Sequence, residues 1–367
     1  MLTNEGDVIK KYDLIIVGAG VIGLSIARNL PRDLSIAVID RNEPGRRASY
    51  AAGGMLGAQN EFYEDNALYR LSMAGRAMMP EVISQLEAET GHQIHLKQHG
   101  LIKYLSCMED QPLFERQFHF LSQTDSNIRQ LNTKELTQLH PGITGTSGIY
   151  IPDDGQIDAA RYTRALKATL SHVDFYHDEV LNIRKSDDYT VSIHQQQLQS
   201  AKLLIAAGAW SQDLLRMLNI HLPVTGMRGE VCYMYHPTLH LRPSLFGTNG
   251  CYIVPKANHH YLIGATSQPD RENYVSDSGI AWLLEESQKM LPSLAAGEII
   301  RTYSGVRPFT RNHQLYLDEC SEGLYVATGH YRNGILLSAI TGHYMAQLIL
   351  GRREPLLDHF RIKELTT

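Results

Sequence analysis

Cysteine is scarce, and what there is does not cluster: Cys107, Cys232, Cys251 and Cys320 contain no Cys-x-x-Cys pair. That spacing suits neither a disulfide framework nor a zinc knuckle, so buried or idle thiols are expected. Histidine is more plentiful, at 17 residues, but no His-Glu-x-x-His or clustered His/carboxylate pattern occurs, and no metal is expected. No run of about 18 uncharged apolar residues exists to span a bilayer. The opening MLTNEGDVIKKYD is too polar for the apolar region of a signal peptide, so a cytoplasmic location is expected. A formal charge of −5 gives no reason to expect a nucleic acid or an anionic membrane as partner. Internal repeats, low-complexity stretches and linkers are missing too.

What remains is an ordinary globular composition, 43% apolar and 20% charged, over 367 residues, which is room for two sub-domains. Tyr12 to Val17 is a short apolar run of the kind a central parallel strand needs. A glycine-rich turn follows, then a helix over Val21 to Leu30 stopped by Pro31, then a strand over Ser35 to Ile39. Strand, helix and strand in this order make a βαβ unit. Asp65 to Glu89 has helical apolar spacing, with Pro80 placed to divide it into two helices. From Gly91 to Gly148 strands and helices mix. Further on, helices are expected over Asp158 to Leu170, Asp277 to Leu291 and Ile335 to Leu350. Strands are expected within Leu181 to Ala206, Val224 to Tyr235, Cys251 to Ala265 and Leu324 to Thr328. His259-His260 falls at a hairpin tip. The expected fold is α/β, with a discontinuous Rossmann-like domain from residues 1–90, 148–222 and 300–367. An α+β domain with a large antiparallel sheet comes from 91–147 and 223–299.

Gly18-Ala19-Gly20-Val21-Ile22-Gly23 places G-x-G-x-x-G between the first strand and the first helix. Gly18 makes the tight turn, Gly20 lets backbone approach a pyrophosphate, and Gly23 lets helix pack on strand. The helix N-terminus, through Val21 and Ile22, then faces the phosphates with free N–H groups. Asp40 closes the second strand, about 20 residues on, where a carboxylate accepts from ribose hydroxyls. The fingerprint alone leaves FAD and NAD both open. Three more segments favour FAD: Ser49 to Met55, Ile205 to Ser211 and Thr328 to Gly334, each a small-residue or glycine-bearing turn. The last leads into a helix N-terminus able to stabilise the negative charge of a reduced flavin ring.

With these segments the chain resembles the D-amino-acid oxidase superfamily, and within it the bacterial glycine oxidases of thiamine biosynthesis. The resemblance rests on Ala51 to Ala58 (AAGGMLGA), Gly250 to Pro255, Gly264-Ala265-Thr266, Gly305-Val306-Arg307-Pro308 and Gly329 to Leu337 (GHYRNGILL). It implies an FAD domain of the GR2 type under an antiparallel roof, non-covalent FAD, a homotetramer, and a small amino acid and O2 as reactants. It implies cofactor contacts at Gly18, Gly20, Val21, Ile22, Gly23, Asp40, Arg41, Ala48, Ser49, Gly53, Gly54, Met55, Val180, Ala207 and Gly208. Others fall at His330, Tyr331, Arg332, Asn333, Gly334, Ile335 and Leu336.

Oxidising an amino acid requires its carboxylate to be held, which a planar guanidinium does with two parallel hydrogen bonds. The resemblance gives that role to Arg307, with Tyr252 and Arg332 as further catalytic contacts and Met55 beside the substrate. A structural salt bridge near the helix start is the other reading of Arg332. Several glycine oxidases carry Met where Ser267 stands, which implies a roomier pocket here, and Cys320 is not in a context for a flavin tether. A sarcosine oxidase or a D-amino-acid dehydrogenase of the same fold stays open, as does a flavin-binding protein without catalysis; the arginine and tyrosine set weighs against the last.

Overall fold

The computed structural model describes residues 9–362, so the outermost residues of the expected first domain lie outside the described residues. The strand Lys10–Val17 is central in an eight-stranded sheet, where it pairs in parallel with Ile36–Asp40 on one side and Gln197–Ile205 on the other. Beyond Gln197–Ile205 lies Leu324–Thr328, also parallel, and beyond Ile36–Asp40 lies Asp174–His177. Both faces of the central strands are covered, which is why Ile15, Ile16, Val38, Leu204 and Ile205 are all fully buried. The helices Val21–Arg28, Ala67–Thr90, Ala159–Ala168 and Gly334–Ile349 close one face in a single apolar core.

The helix expected to divide at Pro80 does not: Ala67–Thr90 is one helix with Pro80 inside it. Asn66 caps its start by accepting from the Tyr69 N–H at 2.9 Å, and Gly91 ends it in the left-handed conformation. Between the caps Leu71, Met79, Ile83 and Leu86 are buried, and Gly75 lies so close to the helix Gly334–Ile349 that a Cβ there would sit 2.8 Å from the Leu336 carbonyl. That packing along the whole helix outweighs the one hydrogen bond proline removes.

The second sheet also has eight strands, in the order Glu298–Thr310, Val224–Tyr235, His260–Gly264, Tyr252–Pro255, Ser244–Gly247, Leu101–Tyr104, Ser147–Ile151 and Arg129–Asn132. All neighbours are antiparallel except Ser244–Gly247 with Leu101–Tyr104. The domain limits expected at 148 and 300 fall inside strands of this sheet. Ser147–Ile151 and Glu298–Thr310 each cross one, because inter-strand pairing rather than local composition sets where a domain ends. Among the described residues no helix is long and apolar enough to cross a membrane.

Candidate active site

A cavity of about 330 Å³ runs between the first sheet's carboxyl edge and the second sheet. At one end the turn after Lys10–Val17 lines it. Gly18 has φ +115°, and a Cβ there would lie 2.4 Å from the Ala206 carbonyl, so only glycine fits. Gly20 is different: a Cβ would meet nothing closer than Ser49 Oγ at 3.6 Å, so the open side of this residue is the cavity itself. Ser49 Oγ accepts from the Val21 N–H at 3.0 Å, while Gly20 offers the helix no side-chain cap. Asp40 accepts from the Ala19 N–H at 2.8 Å and the Asn42 N–H at 2.9 Å, which tie its carboxylate to the turn. Arg41 stacks over Trp210, 4.6 Å from the ring centroid, at the same end.

Of the remaining residues expected against the cofactor, Val21, Ile22, Arg41, Ala48, Gly53, Gly54, Met55, Val180, Ala207, Gly208, His330, Tyr331, Asn333, Gly334 and Ile335 line the cavity. Gly23 and Leu336 do not. Gly23 packs the helix onto the turn, where a Cβ would fall 2.0 Å from the Gly18 carbonyl, and Leu336 is buried in the core. The helix Gly334–Ile349 opens on the cavity with no side-chain cap, so its amino end faces inward as a second anion-stabilising terminus. His330, fully enclosed beside it, has its ring pKa pushed down to about 3 by desolvation and meets Thr341 Oγ1 at 3.2 Å.

The other end is built from side chains. Arg307 comes from Glu298–Thr310 and donates from Nη1 to the Thr266 carbonyl at 3.1 Å. Its guanidinium fills the place a Cβ on the neighbouring Gly229 would take. Desolvation pulls its pKa below the ordinary value, opposed by the Tyr252 phenol beside it; it remains a cation. Tyr252 is buried, and burial pushes its phenol up, so it stays protonated as a donor. Its ring is slotted between Gly53 and Gly264: a Cβ on either would come within 3.2 Å or 2.6 Å of it. Arg332 donates from Nη1 to Glu61 at 2.7 Å. Burial works against its charge, but Glu61, with Tyr331 and Tyr252 beside it, holds the guanidinium above its ordinary value. Arg332 therefore makes a salt bridge and lines the cavity at once, joining the two readings of the residue.

Glu61, Phe246, Trp210, Arg46 and Arg47 also line the cavity and were not singled out from the sequence as contacts. Only Trp210, within the Ile205–Ser211 segment, carried a signal there. Ser267 does not line the cavity; it is exposed, with its hydroxyl 3.2 Å from Tyr331 Oη. No cysteine lines it either: Cys107 is exposed, Cys232 and Cys251 are buried, and Cys320 sits on Tyr316–Ser321. Among the described residues no group of three or more His, Cys, Asp or Glu is arranged to hold a metal.

Comparison with known proteins shows the family. Residues 13–348 match the family described as FAD dependent oxidoreductase. The chain is 35% identical to a glycine oxidase from Geobacillus kaustophilus over 95% of each. The crystal structure of that organism's glycine oxidase superposes with a TM-score of 0.93 at 34% identity, over 97% of this chain and all of the other. A bifunctional protein ThiO/ThiG of Trichormus variabilis is 32% identical over 95% of this chain but only 54% of its own length.

Proposed function

The chain belongs to the FAD dependent oxidoreductase family and is an FAD-dependent amino-acid oxidase, and we propose that its amino acid is glycine. Sarcosine and small D-amino acids such as D-alanine are accepted as well; O2 is reduced to hydrogen peroxide, and the imine goes to glyoxylate and ammonia or to the thiazole moiety of thiamine. The likeness to a ThiO/ThiG protein supports the last use. The observation that carries the reading is the Arg307–Tyr252 pair at the end of the cavity opposite the nucleotide turn.

The residues present fit FAD: two helix amino ends and the open side of Gly20 face one cavity, with Asp40 at its ribose end. FAD is held there without a covalent tether in this reading, and when bound it accepts the electrons of the α-C–H bond and returns them to O2. Arg307 takes the substrate carboxylate in a charge-assisted pair, and the Tyr252 hydroxyl donates to the same group. Holding the carboxylate fixes where the α-carbon lies, which is the main rate contribution the protein supplies. Arg332, paired with Glu61, walls the substrate end. Met55 and Phe246 limit the length of what enters.

The test is a panel of glycine, sarcosine, D-alanine and larger D-amino acids, scored by peroxide and by FAD reduction. Glycine should give stoichiometric peroxide with a kcat/KM at least equal to that of any longer substrate. Reduction of an artificial acceptor without peroxide makes the protein a dehydrogenase instead, and no turnover with any small amino acid sinks the reading.

A further inference from the structure

Lys256 follows directly on the strand Tyr252–Pro255 and its ammonium has three acceptors: the Gly53 carbonyl at 2.6 Å, the Ile157 carbonyl at 3.0 Å and Gln156 Oε1 at 3.2 Å. Each N–H of the ammonium is thus used, and among the described residues no carboxylate forms an ion pair with it. A charge taken from water without a counter-ion is costly, so its place calls for a reason. Gly53 and Gly54 line the cavity, whereas Lys256 does not. Its ammonium therefore draws the Gly53 carbonyl outward, and across a trans peptide the Gly54 N–H points the opposite way, into the cavity. That N–H has no acceptor among the described residues. Gly53 is also the floor on which the Tyr252 ring rests. One strand thus grips Gly53 from two sides, with a ring at its start and an ammonium at its end.

Resting on the oxidase reading above, we infer that Lys256 is a positioning residue: it holds the Gly53–Gly54 peptide so that its N–H faces the cofactor and its α-carbon seats Tyr252 against the substrate. The surroundings bear this out. Lys97 Nζ donates to the carbonyls of Lys256 at 2.7 Å and Pro255 at 3.5 Å, so the backbone on either side of the ammonium is pinned. The groups that face it are Lys97, Asp158, His95 and Gln156, around a small adjoining cavity. Desolvation pushes the amine down to about 7, with Asp158 opposing and Lys97 adding to the shift. The grip on Gly53 therefore weakens from a charged to a neutral hydrogen bond as pH rises through that value.

The experiment compares wild-type holoenzyme with Lys256→Met and Lys256→Arg. Two signals are read: the oxidised-flavin absorbance without substrate, and the anaerobic rate of flavin reduction by saturating glycine. Lys256→Met should shift the flavin bands and lose on the order of 10- to 100-fold in the saturated rate, the scale of a roughly 1 Å misplacement, with KM changed little. Lys256→Arg should recover part of the rate. Because a guanidinium stays charged, that variant should also lack the spectral transition expected of the wild type near pH 7. If Lys256→Met does not retain FAD, the pH comparison between wild type and Lys256→Arg decides. A normal spectrum and rate in Lys256→Met, or a wild-type pH transition kept in Lys256→Arg, overturns the inference. Wild-type flavin that glycine fails to reduce counts against the glycine reading alone, since the spectra are taken without substrate.

Discussion

At the end of the cavity formed by the glycine-rich turn, Gly18, Gly20, Val21, Ile22 and Asp40 come from one short stretch and present mostly backbone, with Ser49, Arg41 and Trp210 added from further along the chain. At the other end Arg307, Tyr252, Arg332 and Glu61 come from four separate segments, and all present side chains to the cavity. The first end is built around one local structure, a single βαβ unit, and is sensitive mainly to sterics. The second exists only because two sheets face each other, and it is sensitive to charge and hydrogen bonding. Substitutions at one end should therefore separate cofactor binding from turnover.

The sharpest break should come at Gly20. Because the protein leaves room for a Cβ there, Gly20→Val should fold yet exclude the pyrophosphate, giving colourless apoprotein with no oxidase activity. Gly23→Val is the control, since its Cβ would collide with the Gly18 carbonyl; it should lose melting temperature as well as FAD. Full FAD content in Gly20→Val would show that this turn does not hold the cofactor.

Next in size is Arg307→Ala. Truncating one partner of a desolvated charge pair costs about 2 to 5 kcal/mol, or on the order of 30- to 3000-fold in kcat/KM. FAD content should stay normal. Arg307→Lys should restore only part of the rate, and a fully active Arg307→Ala would move the clamp to Arg332.

Tyr252→Phe should be milder, on the order of 10- to 100-fold in kcat/KM, because it removes one hydrogen bond to a charged group and keeps the ring between Gly53 and Gly264. Equal kinetics for the Phe variant and wild type would reduce Tyr252 to a packing residue.

The smallest effect concerns pH and the wall shared by both ends. His330 is held at about 3 in the folded chain against an ordinary value of 6.5. A depressed folded value means the unfolded chain binds the extra proton first. Stability is thus full above 6.5 and falls as pH drops toward 3. Between pH 6.5 and 5.5 this amounts to about 1 kcal/mol, and His330→Gln should flatten that limb in denaturant titrations of the apoprotein. An unchanged limb would mean another group titrates there.

The turn that lines one end of the cavity was legible in the sequence because its signal lies in one local spacing: Gly18 and Gly20 line the cavity with Asp40, and Gly23 packs the helix onto the turn. Arg307 and Tyr252 were reached only through the family resemblance of Gly-Val-Arg-Pro and Cys-Tyr-Ile-Val-Pro, since nothing within either segment tells what lies across from it. Glu61 and Phe246 carried no signal, because their place depends on pairings between strands far apart in the chain. The same cause displaced the domain limits at 148 and 300, where composition does not change although the sheet does. Pro80 failed as a divider for a related reason. Its local cost is real, but the packing that outweighs it, with Leu71 and Ile83 buried in a shared core and Gly75 against the helix Gly334–Ile349, involves residues far along the chain.

The order of strands in the first sheet also sets a timetable for synthesis. Lys10–Val17 leaves the ribosome shortly before Ile36–Asp40, but its other neighbour, Gln197–Ile205, emerges only after three strands of the second sheet, and Leu324–Thr328 after all eight. Until then the nascent βαβ unit carries an open, apolar edge, the form most prone to join a wrong chain. The helix Gly334–Ile349 that lines the cofactor's cavity is made after all of these strands. Bound to the completed cavity, the cofactor stabilises the finished fold by mass action.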